Sequence, residues 1–362
     1  MATVFDVDSL GSGGFIIEGD GDGDFAGFSV SSAGDVNGDG FDDIILSAPY
    51  NNDGGIDAGQ AYVIFGKAGG FGTIDLADLD PSQGFGIRAF YTEDMSVSSA
   101  GDVNGDGFDD VIIGSLFGGA FVIFGQAMGF GTTNLDNLQP ADGFLIQGAP
   151  GDLSVSSAGD INGDGFDDLV IGGAFSSGWY YYGSDPTAYV IFGKESGFNT
   201  LNVANLSSSH GFEISGQFAY SSEGLTVSSA GDVNGDGFDD LIVGDALVNG
   251  GTGVVYIILG KKSGFGPIDL ATLPPVSGYK IVGSNFNDLT GSSVSGAGDT
   301  NGDGWLTNTD GPAVPADDYD FSSVFTHELG HVLCFSHAGS TYFLDKHASY
   351  QAPTTLDLPA SV

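Results

Sequence analysis

The sequence predicts an all-β protein assembled from four-stranded repeat units in the manner of a β-propeller, and three observations predict it. The stretch Asp35-Val36-Asn37-Gly38-Asp39-Gly40-Phe41-Asp42-Asp43 recurs at 102–110, 160–168 and 232–240, with an altered copy starting at Asp299. Each intact copy runs into a short apolar segment (Ile44-Ile45-Leu46, Val111-Ile112-Ile113, Leu169-Val170-Ile171, Leu241-Ile242-Val243) that reads as a buried strand. The copies begin 67, 58, 72 and 67 residues apart, a spacing that marks a repeat architecture.

Each unit reads the same way. A strand of the form Ser-Val-Ser-Ser-Ala-Gly leads into the loop at 29–34, 96–101 and 154–159, with a Thr226 variant at 226–231. The apolar strand follows, then a Gly-rich hairpin of variable length, such as 50–60, 175–187 or 246–253. The third strand is Ala61-Tyr62-Val63-Ile64-Phe65-Gly66 and its counterparts at 120–125, 188–193 and 255–260. A linker with paired leucines (Leu76 and Leu79, Leu135 and Leu138, Leu270 and Leu273) precedes a fourth strand opening Gly-Phe or Gly-Tyr at 84–87, 143–146, 211–214 and 278–281. Four short strands joined by turns are what one propeller blade needs. Four complete units and part of a fifth point to a five-bladed ring or an open arc. Gly14-Phe15-Ile16-Ile17 matches a fourth strand with no earlier strands before it. That suits a ring in which the first segment completes the last blade, and equally a segment of a larger repetitive surface protein.

The recurring loop carries the chemistry. Oxygen donors stand at positions 1, 3, 5 and 9, with the position 7 carbonyl available: Asp35, Asn37, Asp39, Phe41 and Asp43; Asp102, Asn104, Asp106, Phe108 and Asp110; Asp160, Asn162, Asp164, Phe166 and Asp168; Asp232, Asn234, Asp236, Phe238 and Asp240. A ring of hard oxygens suits Ca²⁺ and not zinc or copper. An EF-hand is excluded, because its twelfth position requires a bidentate Glu and here holds Leu46, Ile113, Ile171 and Val243. The loop is therefore a calcium-clamped β-hairpin, giving about four sites. The fifth copy keeps Asp299, Asn301 and Asp303 but has Thr307 at position 9, and reads as a weaker site.

Composition narrows the function. Seven Lys+Arg against 48 Asp+Glu give a formal charge of −41, which argues against nucleic-acid binding. The 63 glycines follow no three-residue period, so the chain is not collagenous. One cysteine, Cys334, permits no internal disulfide, which leaves calcium the stapling role. No apolar run approaches the ~18–20 residues of a membrane span. The N-terminus has neither the basic nor the apolar region of a Sec signal. Calcium sites of this kind belong to an extracellular or cell-surface setting, reached by another export route or as part of a longer chain. Without the cation the clustered carboxylates repel one another, so the fold is expected to depend on it.

Residues 1–304 resemble the FG-GAP repeats of integrin α-subunit propellers and many bacterial surface proteins. The resemblance rests on the Asp-x-Asn-Gly-Asp-Gly-x-x-Asp loop, on small residues closing the second strand (Ser47-Ala48-Pro49, Gly172-Gly173-Ala174) and on the Phe-Gly of the third. It implies a propeller, usually seven-bladed, with calcium in the blade loops and a role in adhesion or beside a secreted enzyme. The partner implied is an extracellular protein or glycan, met on the variable hairpins.

At 304 the repeat breaks off, and 305–362 reads as a second domain. Asp320 is a fitting N-cap for a short helix, followed by His327-Glu328-Leu329-Gly330-His331. Histidines four apart share one helical face and can hold Zn²⁺, with Glu328 as general base and His337 as third ligand. The spacing is similar to the metzincin signature and to matrixin-like zinc proteases, which implies a zinc-dependent metalloendopeptidase with the propeller as accessory domain. Three departures weigh against catalysis. Cys334 replaces the family's glycine, no Met follows His337, and the 22 residues between Gly304 and His327 are too few for the substrate-holding strands.

Overall fold

The computed structural model describes residues 14–52, 58–89, 95–115, 119–127, 130–131, 133–149, 153–173, 186–217 and 224–296. The described residues other than 233–235 belong to one compact unit. All elements named below lie in that unit.

Strand β1 (Ile17–Glu18) precedes the first blade, which is formed by β2 (Val30–Gly34), β3 (Asp43–Ala48), β4 (Gln60–Ile64) and, after β5 (Ile74–Asp75), β6 (Gly84–Arg88). The second blade is β7 (Met95–Gly101), β8 (Asp110–Ser115), β9 (Gly119–Ile123) and, after β10 (Thr133–Asn134), β11 (Gly143–Gln147). The third is β12 (Ser154–Gly159), β13 (Asp168–Gly173), β14 (Thr187–Ile191) and, after β15 (Leu201–Asn202), β16 (Gly211–Ser215). The fourth is β17 (Thr226–Gly231), β18 (Asp240–Asp245), β19 (Val254–Ile258) and, after β20 (Ile268–Asp269), β21 (Gly278–Val282). Within each blade the four long strands are antiparallel in sequence order.

The four-stranded units are therefore as the sequence predicts, with two refinements. Each leucine linker contains a two-residue strand that pairs in parallel with the fourth strand of the preceding blade: Thr133 with Ile87, Leu201 with Ile146, Ile268 with Ile214. β1 and β5 pair in the same way, Ile17 with Ile74, so β1 occupies the place of a preceding blade's fourth strand. The linker then makes one 3₁₀ turn, capped by the side chain of Asp75, Asn134, Asn202 or Asp269. Its first apolar residue (Leu76, Leu135, Val203, Leu270) is buried. The second refinement concerns the third strands, which stop two residues short of the predicted Phe-Gly end. The Gly66 amide is drawn off the ladder to the Asp43 side chain, as described below.

The blades pack face to face. Between the first and second, Val36, Ile45, Val63 and Ile87 meet Met95, Val97, Val111 and Ile113. Between the third and fourth, Ile161, Val170 and Val190 meet Val227, Leu241, Val243 and Tyr256. The second strands are buried on both faces, which is why they read as continuous apolar runs and not as alternating ones. Burying each such side chain contributes about 1.5–3 kcal/mol. Each of the four linkers contributes one Phe to a stacked pair: Phe15 with Phe71 at 4.1 Å, Phe85 with Phe130 at 4.2 Å, Phe144 with Phe198 at 4.6 Å and Phe212 with Phe265 at 4.9 Å.

β2, β7, β12 and β17 pack in succession, and no comparable packing joins β17 to β2 among the described residues. Among the described residues nothing comparable covers the leading face of the first blade. Val30 is 64% exposed where its counterpart Val97 is 4% exposed, and Phe28 is 52% exposed where Met95 is fully buried.

Candidate cation loops

Each loop is wound tightly on its own carboxylates. Asp35 accepts from the Asp39 amide through Oδ1 (3.0 Å) and from the Gly40 amide through Oδ2 (2.9 Å). Asn37 Oδ1 accepts from the same Asp39 amide at 2.8 Å, and Asp39 Oδ1 accepts from Phe41 at 3.0 Å. The second loop repeats this, with the Asp106 amide shared between Asp102 and Asn104. In the third and fourth loops Asp160 holds Asp164 and Gly165, and Asp232 holds Asp236 and Gly237. In the first two loops the shared N–H keeps the oxygens of positions 1 and 3 together; in the third, Asn162 Nδ2 instead donates to the Asp168 carboxylate at 3.2 Å. Gly38 and Gly40, at φ 71° and 88°, supply the left-handed backbone that this winding needs.

The ninth-position aspartates are the buried members. Asp43 is 1% exposed, and Asp110, Asp168 and Asp240 are fully buried. Asp43 Oδ2 accepts from Val36 at 3.0 Å and Oδ1 from Gly66 at 2.7 Å, tying the loop to the end of the third strand. Asp110 does the same with Val103 and Gly125, while Asp168 and Asp240 hold Gly193 and Gly260. Burial pushes the Asp43 carboxyl up to about 6 and those of Asp110 and Asp168 up to about 8. The amide hydrogen bonds pull back, and the charges at positions 1 and 5 of each loop add to the rise.

Among the described residues no three His, Cys, Asp or Glu side chains converge as a metal-holding group. The donor set nonetheless fits a hard cation. A carboxylate oxygen has two lone pairs, so each Asp35 oxygen, holding one amide, keeps a further acceptor position, whereas Asp102 Oδ1 already holds the amides of Gly105 and Asp106. A cation there would also offset the repulsion from positions 1 and 5 that adds to the rise caused by burial.

The eighth position makes an inter-blade contact that the loop pattern alone does not single out. Asp109 Oδ2 accepts from the Asp35 amide of the preceding loop at 2.7 Å, and the Asp109 amide returns a bond to the Asp35 carbonyl at 3.2 Å. Asp167 grips Asp102 and Asp239 grips Asp160 in the same way. The position 7 ring covers the neighbouring loop as well: a Cβ on Gly38 would collide with Phe108, on Gly105 with Phe166, and on Gly163 with Phe238. The loops thus form a connected row, each locked to the next by one aspartate and one phenylalanine. In the first loop, where no preceding loop is described, Phe41 and Asp42 are exposed.

Of the variable hairpins, 53–57 and 174–185 lie outside the described residues, as do Asp299, Asn301, Asp303, Glu328, His327, His331 and His337. The hairpin at 246–253 contains one helical turn, α1 (Val248–Gly251), with Asn249 and Gly250 in left-handed conformations. No described helix is long and apolar enough to cross a membrane.

Sheets of four antiparallel strands, stacked face to face and joined by outer linkers, define a β-propeller architecture. The FG-GAP repeat model matches residues 26–64, 95–127, 153–190 and 224–258, one stretch per blade. Each blade thus matches the FG-GAP repeat, and the matched region is similar to integrin α-chains. It is 30% identical to integrin alpha-PS5 of Drosophila melanogaster, over 46% of this chain and 17% of that protein. It is 31% identical to integrin alpha-5 of Xenopus laevis, over 41% of this chain and 14% of that protein. To the phosphatidylinositol-glycan-specific phospholipase D of Bos taurus it is 31% identical, over 47% of this chain and 21% of that protein. The chain thus spans under a quarter of the length of these three relatives.

Proposed function

We propose that the chain is a calcium-stabilised FG-GAP propeller segment acting as an extracellular or cell-surface binding and adhesion module. The observation that carries the reading is the loop built alike in each blade. In it an aspartate at position 1 and another at position 5 organise a turn around oxygen donors, and a buried aspartate at position 9 closes it. Bound calcium would supply positive charge to each loop. The loop's own residues would supply Asp, Asn and carbonyl oxygens from positions 1, 3, 5, 7 and 9. The integrin relatives support adhesion as the setting. Calorimetric titration of the metal-free protein tests it, with about four sites expected and one fewer in Asp102→Asn/Asp106→Asn. Absence of calcium binding would overturn the metal reading.

A second reading, a zinc-dependent metalloendopeptidase, rests on His327, Glu328, His331 and His337. Zinc analysis and casein cleavage, compared with Glu328→Ala, test it. Cleavage that survives in the variant, or a chain without zinc, rules it out.

A further inference from the structure

In three of the four blades a lysine stands directly after the third strand's aromatic-Gly or Leu-Gly pair, four residues before the linker phenylalanine of the stacked pair. Its ammonium sits over that ring: Lys67 is 4.8 Å from the Phe71 centroid, Lys194 5.0 Å from Phe198 and Lys261 5.0 Å from Phe265. The second blade departs at two places. Gln126 occupies the lysine position before Phe130. Asp142 occupies the position whose carbonyl accepts from the amide just after the third strand, held elsewhere by Gln83, His210 and Ser277. One blade has therefore exchanged its own cation for a neutral amide and gained a carboxylate beside the vacated ring.

A cleft of about 340 Å³ opens at this place, lined among others by Gln126, Phe130, Asn134, Asn137, Gln139 and Asp142. Phe130 is held in place by its stack on Phe85 at 4.2 Å and by Phe65 at 5.7 Å. Asn134 Oδ1 caps the Asp136 amide and Gln139 donates to the Asn137 carbonyl, so the rim is organised locally. Among the described residues no lysine or arginine lines the cleft. An aromatic ring flanked by a carboxylate and amide oxygens, without an internal cation, is complementary to an alkylammonium ion.

We propose that this cleft is a binding site for the lysine side chain of a partner protein, whose ammonium takes the place over Phe130 that the chain's own lysines take in the other blades. Asp142 pairs with the charge, and the cleft accommodates the aliphatic stem. The site contains no loop carboxylate, so it stands or falls separately from calcium binding.

The test is a titration with Nα-acetyl-lysine methylamide at physiological salt, followed by chemical shifts of the folded protein in calcium-containing buffer. Saturable binding in the millimolar range is expected, as for a single exposed cation–π contact with one ion pair. Gln126→Lys should abolish it, because the new side chain fills the cleft as in the other blades. Asp142→Asn should weaken it about threefold to tenfold. Unchanged melting temperatures of both variants show that the fold is retained. The proposal is overturned if the norleucine analogue binds as well as the lysine probe. It is equally overturned if no saturable shift occurs, or if both variants bind like the parent protein, as diffuse attraction to an acidic surface would give.

Discussion

The side chain of Asp109 accepts a 2.7 Å hydrogen bond from the backbone amide of Asp35, 74 residues earlier and one blade away. Its equivalents Asp167 and Asp239 repeat the contact at 2.8 and 2.9 Å. Burial raises the carboxyl pKa of both, opposed by these same amide bonds. The loop row is thus a mechanical connection between blades as well as a set of candidate cation sites.

Asp109→Ala leaves the half-buried Asp35 amide without its acceptor and should cost about 1–3 kcal/mol of stability. Asp42→Ala removes the same residue type from the same loop position, where it is exposed, and should stay within about 0.5 kcal/mol. Denaturant unfolding in excess calcium compares the two. Equal losses would show that the clamp contributes nothing.

Gly38 and Gly40 separate backbone strain from packing. Both have left-handed φ, but a Cβ at Gly40 meets no atom within 4 Å, whereas at Gly38 it runs into the Phe108 ring. Gly38→Ala should therefore cost about 1–3 kcal/mol more than Gly40→Ala. Combining it with Phe108→Ala should recover part of that difference. Thermal melts of the four proteins measure the coupling, and strict additivity would rule out the ring contact.

The leading face of the first blade gives a third contrast. Val97→Lys would bury an unpaired charge between two blades and should unfold the second blade or cost more than about 3 kcal/mol. Val30→Lys, at the equivalent but exposed position, should leave the melting temperature nearly unchanged. A large loss at Val30 would show that this face is covered in solution.

Much of this arrangement was legible in the sequence. The loop positions, the strand order and the doubly buried second strands follow from local pattern, because hydrophobic period and turn chemistry are properties of neighbouring residues. Asp109 was not legible in that way, since its partner lies in another blade and only the fold brings the two together. A signal was present: the doublets Asp42-Asp43, Asp109-Asp110, Asp167-Asp168 and Asp239-Asp240 all keep an eighth-position aspartate that a ligand count does not require. The altered fifth copy has Leu306-Thr307 there and loses both residues. The cleft beside Phe130 was hidden for a similar reason. Gln126 and Asp142 are unremarkable until the strand pairing aligns them with Lys67 and Gln83.

The buried ninth-position aspartates make stability depend on pH in a direction that calcium should reverse. In the metal-free fold the carboxyls of Asp110 and Asp168 lie near 8 and that of Asp43 near 6, against an ordinary value of 3.8. Between the ordinary and the folded values the folded chain binds more protons than the unfolded chain, so stability falls as pH rises through that window and levels off above about 8. In EDTA the melting temperature should therefore drop from about pH 5 to about pH 8. Calcium binds the ionised loops, so the increment it adds to the melting temperature should grow over the same range. Asp110→Asn, neutral at every pH, should flatten part of the metal-free decline. A melting temperature independent of pH in EDTA, or a calcium increment that does not change between the two ends of the range, would separate these carboxylates from the cation sites.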